Sequence, residues 1–557
     1  MLFLLNWTKT VRTDVTHLGT SAITAKKKEG SPYDTINKVE GSETISSKHP
    51  DYIIDESKLA GGSAELLFFP KNESEVITII KKMKDRGIPI TISGGRTGIV
   101  GSAVPFGGAV VSTDDMAKVL GFGFDETNQK YFVRVQPGIT LDALEDVIKH
   151  KEFTEQQNIG DTNWVDKFKH DPETFMFAVD PTEMSAAVGG AIAANASGAR
   201  SFKYGAMRPW VKRMRVILAN GDVLDMTRGQ CNAENGKFII ATSDQKLEVT
   251  IPTYQMPKAK NAAGFYSKPG MDVIELFIGT EGMLGFITEV DLWIVPTVEG
   301  LPNVMFFTSE DDAISFVEKL RADGELIVEY MEYFDEHSFN LLKSKKDTNP
   351  ALANLQTIPS EIKTAIFFEV VYSEETLEDI IEKLDEIASE CNSSIDSCWS
   401  AFDEVERENL KVMRHAVPET VNAIIAKRKS EYPAIHKLGT DMSVEHEHFR
   451  EMMNIYRESL EEHNLESATW GHIGDSHVHV NILPRNIEEL ELGKKLYKKF
   501  AKKAVEFGGS VSAEHGIGKI KAEYLIVMYG VDGVNQMRDV KNVLDPQNLF
   551  NKGNMFV

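Results

Sequence analysis

A chain of 557 residues exceeds what one ordinary hydrophobic core supports, so two or three domains are expected. Its composition, 42% hydrophobic and 26% charged, leaves ample material for a buried interior, while a formal net charge of −23 excludes nucleic-acid binding and electrostatic docking on an anionic membrane, both of which need clustered Lys and Arg. Three cysteines, Cys231, Cys391 and Cys398, form no CxxC pair and fall short of the roughly four ligands of an iron–sulfur cluster, which fits a reducing, cytoplasmic setting.

Residues 1–48 read as a polar, partly mobile extension. Met1-Leu2-Phe3-Leu4-Leu5 is far shorter than the roughly 20 apolar residues of a membrane span, and no ordered charged and cleavage regions mark a signal peptide. Further on, Asn72 can cap a helix with Glu75 three positions later. Val76, Ile79, Ile80 and Met83 then share one helical face, and Gly87 ends the helix. Residues 88–92 follow as a strand, and directly after it comes Ser93-Gly94-Gly95-Arg96-Thr97-Gly98-Ile99-Val100-Gly101. A second glycine block spans 188–205 and leads into a strand at 214–219 with a turn at Asn220-Gly221; a third is Gly279-Thr280-Glu281-Gly282-Met283-Leu284-Gly285. From 300 to 465, charged helical stretches such as 374–390 alternate with apolar strands such as 364–371, the pattern of helices packed on an antiparallel sheet. Residues 466–557 hold a histidine-rich strand, an amphipathic helix near 487–507, a polar loop at 508–519 and a terminal LDPQNLFNKG segment. These shifts divide the chain into the extension 1–48, a first domain 49–298, a second 299–500 and a closing segment 501–557.

Glycine permits positive φ and lets backbone N–H groups approach an anion closely, so two or three such loops converging would suit a diphosphate. No Gly-Lys-Ser/Thr follows any of them, and none is a GxGxxG opening a helix with an acidic residue about 20 positions later. A Walker A loop and a nicotinamide Rossmann site are therefore not indicated.

Four of the 14 histidines, His472, His477, His479 and His515, lie between 472 and 515. From 477 onward polar and apolar residues alternate, which places His477, His479 and Asn481 on one strand face and points that face at a cavity or solvent. Ser512-Ala513-Glu514-His515-Gly516 adds a carboxylate and another imidazole. Two His and a Glu can hold a divalent cation with positions left open, and imidazole suits Zn or Fe better than Mg or Ca. The plain alternative is a set of hydrogen-bonded structural histidines; the adjacent Glu-His pair favours the cation.

Five blocks carry a resemblance: TISGGRTGIVGSAVP (91–105), VQPGITLDALE (135–145), VGGAIAANASGARSFKYGAMR (188–208), ELFIGTEGMLGFITE (275–289) and LDPQNLFNKG (544–553). In this order they resemble the FAD-binding family typified by D-lactate dehydrogenase, the glycolate oxidase flavin subunit and D-2-hydroxyglutarate dehydrogenase. The resemblance implies an α+β fold: a two-subdomain FAD-binding domain of the vanillyl-alcohol-oxidase-like (PCMH) type, a substrate or cap domain with an antiparallel sheet, and a C-terminal helical segment returning to the flavin. It implies that Ser93, Gly94, Gly95, Arg96, Thr97, Gly98 and Gly101 cradle the FAD pyrophosphate. Gly189, Gly190, Asn195, Ser197 and Gly198 would line the flavin, Gly282 and Ile287 would contact the adenine side, and Asn551 would return near the isoalloxazine.

The family's GHxGDxxxH and EHG patterns match His472, His479 and Glu514 as metal ligands and His515 as acid/base, and its carboxylate-binding Arg falls on Arg414. Relatives that bond flavin covalently carry His where this chain has Arg96, which implies non-covalent FAD. Many relatives have Asn where this chain has His477, and the family's nearby Lys is displaced here to Lys437, four residues before Asp441. The implied activity is FAD-dependent oxidation of a D-2-hydroxy acid: D-lactate first, then D-2-hydroxyglutarate or glycolate. Electrons would leave to a quinone, a soluble carrier or a partner subunit. Rival readings are a sugar-lactone oxidase, an alkyl-glycerone-phosphate-synthase-like enzyme, a metal-dependent hydrolase and a non-catalytic flavoprotein subunit of an electron-transfer complex.

Overall fold

A computed structural model describes residues 32–152, 157–242, 245–345 and 358–556, so the first 31 residues of the extension lie outside it. The helix foreseen after residue 70 runs Glu73–Arg86. The Asn72 side chain accepts from Glu75 N, Gly87 closes the helix at φ 63°, and Val76, Ile79, Ile80 and Met83 are all buried. That apolar face packs on a small sheet in which Ala109–Ser112 pairs in parallel with both Leu66–Phe68 and Ile90–Ser93. Lys38–Glu40, placed by sequence within the extension, adds an antiparallel edge strand to this sheet, and the helix Ser42–Lys48 buries Ile45 beside it.

A second sheet has six strands in the order Val223–Thr227, Val211–Ile217, Phe286–Trp293, Lys130–Val135, Val119–Asp125 and Gln157–Asn158, all antiparallel except the last pair. The short helix Val188–Ala194 packs against it through Val188, Ala191 and Ile192. These two sheets flank the glycine loops.

The third sheet is antiparallel throughout, with seven strands in the order Cys398–Ser400, Gly300–Phe307, Thr364–Val371, Val328–Asp335, Ser467–Gly471, His479–Ile482 and Leu438–Gly439. The expected 364–371 strand is one of its central members. Helices Glu310–Ala322, Leu377–Ser389 and Phe449–Glu462 bury amphipathic faces in the same core. Ile487–Glu506, foreseen as a helix near 487–507, packs beside Ala522–Leu544, which kinks at Gly530. After this kinked helix the chain end runs back to the first sheet, where Ile90 N donates to Leu549 O at 2.7 Å and Asn551 N donates to Ile90 O at 2.8 Å. Among the described residues no helix is long and apolar enough to cross a membrane.

Candidate active site

Strand Ile90–Ser93 delivers its glycine loop to the mouth of a cavity of about 360 Å³. Gly94, Gly95, Arg96, Thr97 and Gly98 form one wall, Gly189, Gly190 and Ser197 a second, and Gly282, Ile287 and Asn551 a third. The loops need glycine for close approach. A Cβ on Gly95 would lie 2.9 Å from Ser185 O, and one on Gly189 would lie 2.6 Å from the Pro137 side chain. Gly190 faces the cavity with no protein atom within 4 Å of the Cβ it lacks. Asn551 ties the walls together: its Oδ1 accepts from Ile92 N at 2.8 Å and its Nδ2 donates to Glu281 O at 2.6 Å.

Four of the expected cofactor residues do not line this cavity but shape it. Ser93 is buried and its Oγ accepts from Arg96 at 3.2 Å, and Gly101 turns the chain at φ 76°. Asn195 closes the helix Val188–Ala194 in the left-handed region and its side chain accepts from Arg208 N at 3.0 Å. Gly198 lies so close to Asp180 that a Cβ would fall 1.9 Å from its carbonyl oxygen. Arg96, at φ 62°, donates to Gly94 O at 2.6 Å, pairs with Asp114 at 3.3 Å and rests 4.4 Å from the centre of the Tyr52 ring.

Glu514 and His515 also line the cavity, and here the histidine cluster begins. One potential ligand atom from each of His472, His477, His479 and Glu514 lies within 4.8 Å of all the others. His472 donates through Nδ1 to Glu332 at 2.5 Å and places Nε2 3.2 Å from Glu514 Oε1. His479 faces Thr440 O with Nδ1 at 3.0 Å and turns Nε2 toward Glu514 Oε2 at 3.7 Å. Outer partners thus hold both rings with Nε2 aimed at one point, the arrangement typical of metal-bound imidazoles. His477 and His479 do lie side by side, with ring centres 4.5 Å apart, but their surroundings are enclosed. The strand starts only at His479, while His477 forms an isolated bridge with Ser443, and His477 and Asn481 are buried at 0% and 3% exposure.

Charges in the cluster are strongly coupled. Burial opposes ionisation of Glu332, but the facing His472 and Arg414 hold its carboxyl down at about 2. Burial likewise disfavours a charged His472, yet Glu332 and Glu514 push it up to about 10. Glu514 stays well below the usual carboxylate range because His472 and Lys260 outweigh its burial. The carboxylates of Glu332 and Glu514 thus favour positive charge at this point, which a divalent cation would supply. His515 stacks on His479 at 5.3 Å and sets Nδ1 3.2 Å from Asp441 Oδ2. Burial nevertheless keeps its imidazole below the ordinary value, against the pull of Asp441. Arg414, on the helix Glu404–Lys429, lies 3.6 Å from Glu332 Oε2 and above the Tyr330 ring.

Sequence reasoning missed the residues that hold this site in place. Asp441, wholly buried, accepts from Ser512 Oγ at 2.5 Å, Lys521 Nζ at 2.8 Å, His515 N at 3.1 Å and Glu514 N at 3.2 Å, and so builds the Glu514-His515 turn. Lys260, also buried, joins Glu514 at 2.5 Å to Asp475 at 3.2 Å. Glu332 carried the one legible signal: a carboxylate in the middle of the otherwise aromatic and apolar segment 330–334.

The comparisons with known proteins agree with this geometry. The FAD binding domain family matches residues 64–164 and 169–227, and the family of FAD linked oxidases, C-terminal domain, matches 303–555. The chain is 28% identical to D-lactate dehydrogenase of Anaerostipes hadrus, over 90% of this chain and 92% of that protein. It is 25% identical to glycolate oxidase subunit GlcD of Bacillus subtilis (87% and 88% covered) and 26% identical to D-2-hydroxyglutarate dehydrogenase of Stutzerimonas stutzeri (88% and 90% covered). Among solved structures, an alkyldihydroxyacetonephosphate synthase shares the fold at TM-score 0.57 and 15% identity, covering 88% of this chain and 76% of its own. With both halves of the chain matched and the glycine loops assembled into one cavity, this protein belongs to the FAD-linked oxidoreductases of the D-lactate, glycolate and D-2-hydroxyglutarate dehydrogenase family.

Proposed function

We propose that this enzyme oxidises a D-2-hydroxy acid to the 2-oxo acid, with D-lactate the leading substrate and D-2-hydroxyglutarate or glycolate behind it. The observation that carries the reading is the position of Glu514 and His515. They line the glycine-walled cavity and also belong to or adjoin the imidazole cluster, so a flavin and a cation would meet there. Both groups fit the residues present. The cavity is apolar and glycine-lined on the side where Gly190 leaves space, and the cluster offers imidazole and carboxylate donors of the kind Zn or Fe takes. When bound, FAD supplies the hydride acceptor, and the cation lowers the pKa of the substrate hydroxyl.

The chain's own residues do the rest. His472, His479 and Glu514 would hold the cation. His515 takes the hydroxyl proton as the C–H hydride leaves, a contribution of about 10²–10⁴ in rate for a placed base. Asp441 keeps the His515 ring in place through Nδ1. Arg414 receives the substrate carboxylate. Arg96, occupied by Gly94, Asp114 and Tyr52, offers no imidazole to bond the flavin, so FAD is held non-covalently. Electrons leave to a quinone, a soluble carrier or a partner subunit, since the sequence has no cluster-binding cysteines.

An anaerobic visible spectrum of the purified protein, titrated with D- and L-2-hydroxy acids, tests this reading. Bleaching of the flavin band by a D-acid and not by its L-form is expected. A flavin band that no hydroxy acid bleaches would refute the substrate class, and a protein that takes up no FAD would refute the cofactor.

A further inference from the structure

His477 stands apart from the other imidazoles. It is 0% exposed, and among the described residues neither ring nitrogen has a hydrogen-bond partner. Its Nε2 lies 3.3 Å from Asp441 Oδ1 but outside hydrogen-bonding geometry; that oxygen accepts from Glu514 N, and Oδ2 from Ser512, Lys521 and His515 N. The other two rings of the cluster are each fixed by an outer acceptor, Glu332 for His472 and Thr440 O for His479. Leaving a buried donor or acceptor unsatisfied costs about 1–3 kcal/mol, and native proteins rarely tolerate it without a reason. The reason is close by. The His477 ring centre is 4.5 Å from that of His479 and 5.5 Å from that of His472, and one His477 nitrogen falls within the 4.8 Å group of ligand atoms.

We propose that His477 is a fourth protein ligand, so that the cation is held by three imidazoles and one carboxylate. This rests on the reading of His472, His479 and Glu514 as a cation site. It has a chemical consequence for the choice of metal. Catalytic zinc sites commonly use three protein ligands and keep the fourth position for water or substrate. Four protein ligands would complete a tetrahedral zinc shell and leave no place for the hydroxyl and carboxylate oxygens of a hydroxy acid. An ion that accepts six donors, such as Fe(II), Co(II) or Mn(II), keeps two positions for that chelate. His477 therefore shifts the site from zinc toward a six-coordinate ion.

The experiment is Co(II) binding to the chelator-stripped, FAD-loaded full chain, read by the visible d–d spectrum of cobalt against the metal-free flavoprotein. Wild type is compared with His477→Asn, which installs a side chain of smaller donor strength, and with His479→Ala as the control for the site itself. The expected result is one Co(II) per chain in wild type and a loss of at least about 10–100-fold in affinity with an altered cobalt spectrum in H477N, since even outer partners of a metal ligand cost that much. X-ray absorption on the wild-type Co(II) protein needs no variant and should count three imidazoles. Unchanged affinity and spectrum in H477N, or two imidazoles in wild type, would overturn the His477 assignment while leaving the site standing. Failure of wild type to bind Co(II), or equal binding by H479A, would overturn the underlying cation site and the proposal with it.

Discussion

Asp441→Asn is the most informative single change, because it alters charge at one fully buried point and almost nothing in shape. The carboxylate meets Lys521 Nζ at 2.8 Å, Ser512 Oγ at 2.5 Å, the N–H groups of Glu514 and His515 at 3.2 and 3.1 Å, and His515 Nδ1 at 3.2 Å. Asparagine keeps one acceptor oxygen and turns an NH₂ toward groups of which all but the Ser512 hydroxyl and the His515 ring can only donate to it. Lys521, 9% exposed, is then left with Ser512 Oγ at 3.2 Å as its remaining partner. Breaking a buried pair by removing one partner costs about 3–5 kcal/mol. The Glu514-His515 turn also loses its anchor, so the base is misplaced and flavin reduction should slow by about 10²–10⁴. Urea unfolding followed by circular dichroism measures the first effect, and anaerobic stopped-flow reduction by the acid that bleaches the flavin measures the second. In the D441N/K521M double variant the uncompensated charge is gone, so the combined stability loss should be smaller than the sum by about 0.5–3 kcal/mol. A D441N protein within ~0.5 kcal/mol of wild type that reduces its flavin at the normal rate would refute the assignment of Asp441 as the anchor, since surface-like changes fall in that range.

Gly190→Ala has room in the protein alone, because no atom lies within 4 Å of the new methyl. It should fold normally yet bind FAD more weakly, and full flavin content would move the cofactor off that wall. Gly198→Ala is different: its Cβ would sit 1.9 Å from Asp180 O, a backbone clash. Thermal melts should show at least the 1–3 kcal/mol typical of overpacking, or about that much loss of folded yield. Arg414→Met should raise KM for the hydroxy acid about 10–100-fold, the worth of one charge-assisted hydrogen bond, with FAD binding unchanged; an unaltered KM would remove Arg414 from the site. Glu73 gives a pH test away from the chemistry. Its two hydrogen bonds from Arg215, aided by Thr288, hold its carboxyl below the usual value against partial burial. A depressed folded pKa means the stabilisation is full above the unfolded value of roughly 4.3 and is lost as pH falls through the folded one. Glu73→Gln should therefore cost about 1 kcal/mol near pH 7, after allowance for partial exposure, and progressively less below pH ~4 in paired unfolding curves.

Sequence alone determined the features whose signals are local. Asn72 and Gly87 bracket the helix Glu73–Arg86 because a cap and a left-handed stop act within one turn. Thr364–Val371 is apolar enough to be read directly as a buried strand, and Ile487–Glu506 as an amphipathic helix. The glycine loops and the His472, His479 and Glu514-His515 patterns were legible too, because each is a short run of unusual residues. Tertiary structure decided which of these meet. Ser197 reaches Glu514 across 317 residues of chain, and Asn551 reaches Ile92 across 459. No local propensity encodes such contacts; they follow from sheet order and from packing of the kinked helix Ala522–Leu544, which carries the chain end back to the first sheet. The same applies to Asp441, Lys260 and Glu332. In sequence Asp441 and Lys260 are ordinary charged residues and Glu332 stands out only by its apolar neighbours; burial among donors or counter-charges is what makes all three indispensable to the site. His477 shows the limit most clearly. Its alternation with His479 suggested a shared face open to a cavity or solvent, and only the packed structure shows the two rings 4.5 Å apart with His477 fully buried beside the site.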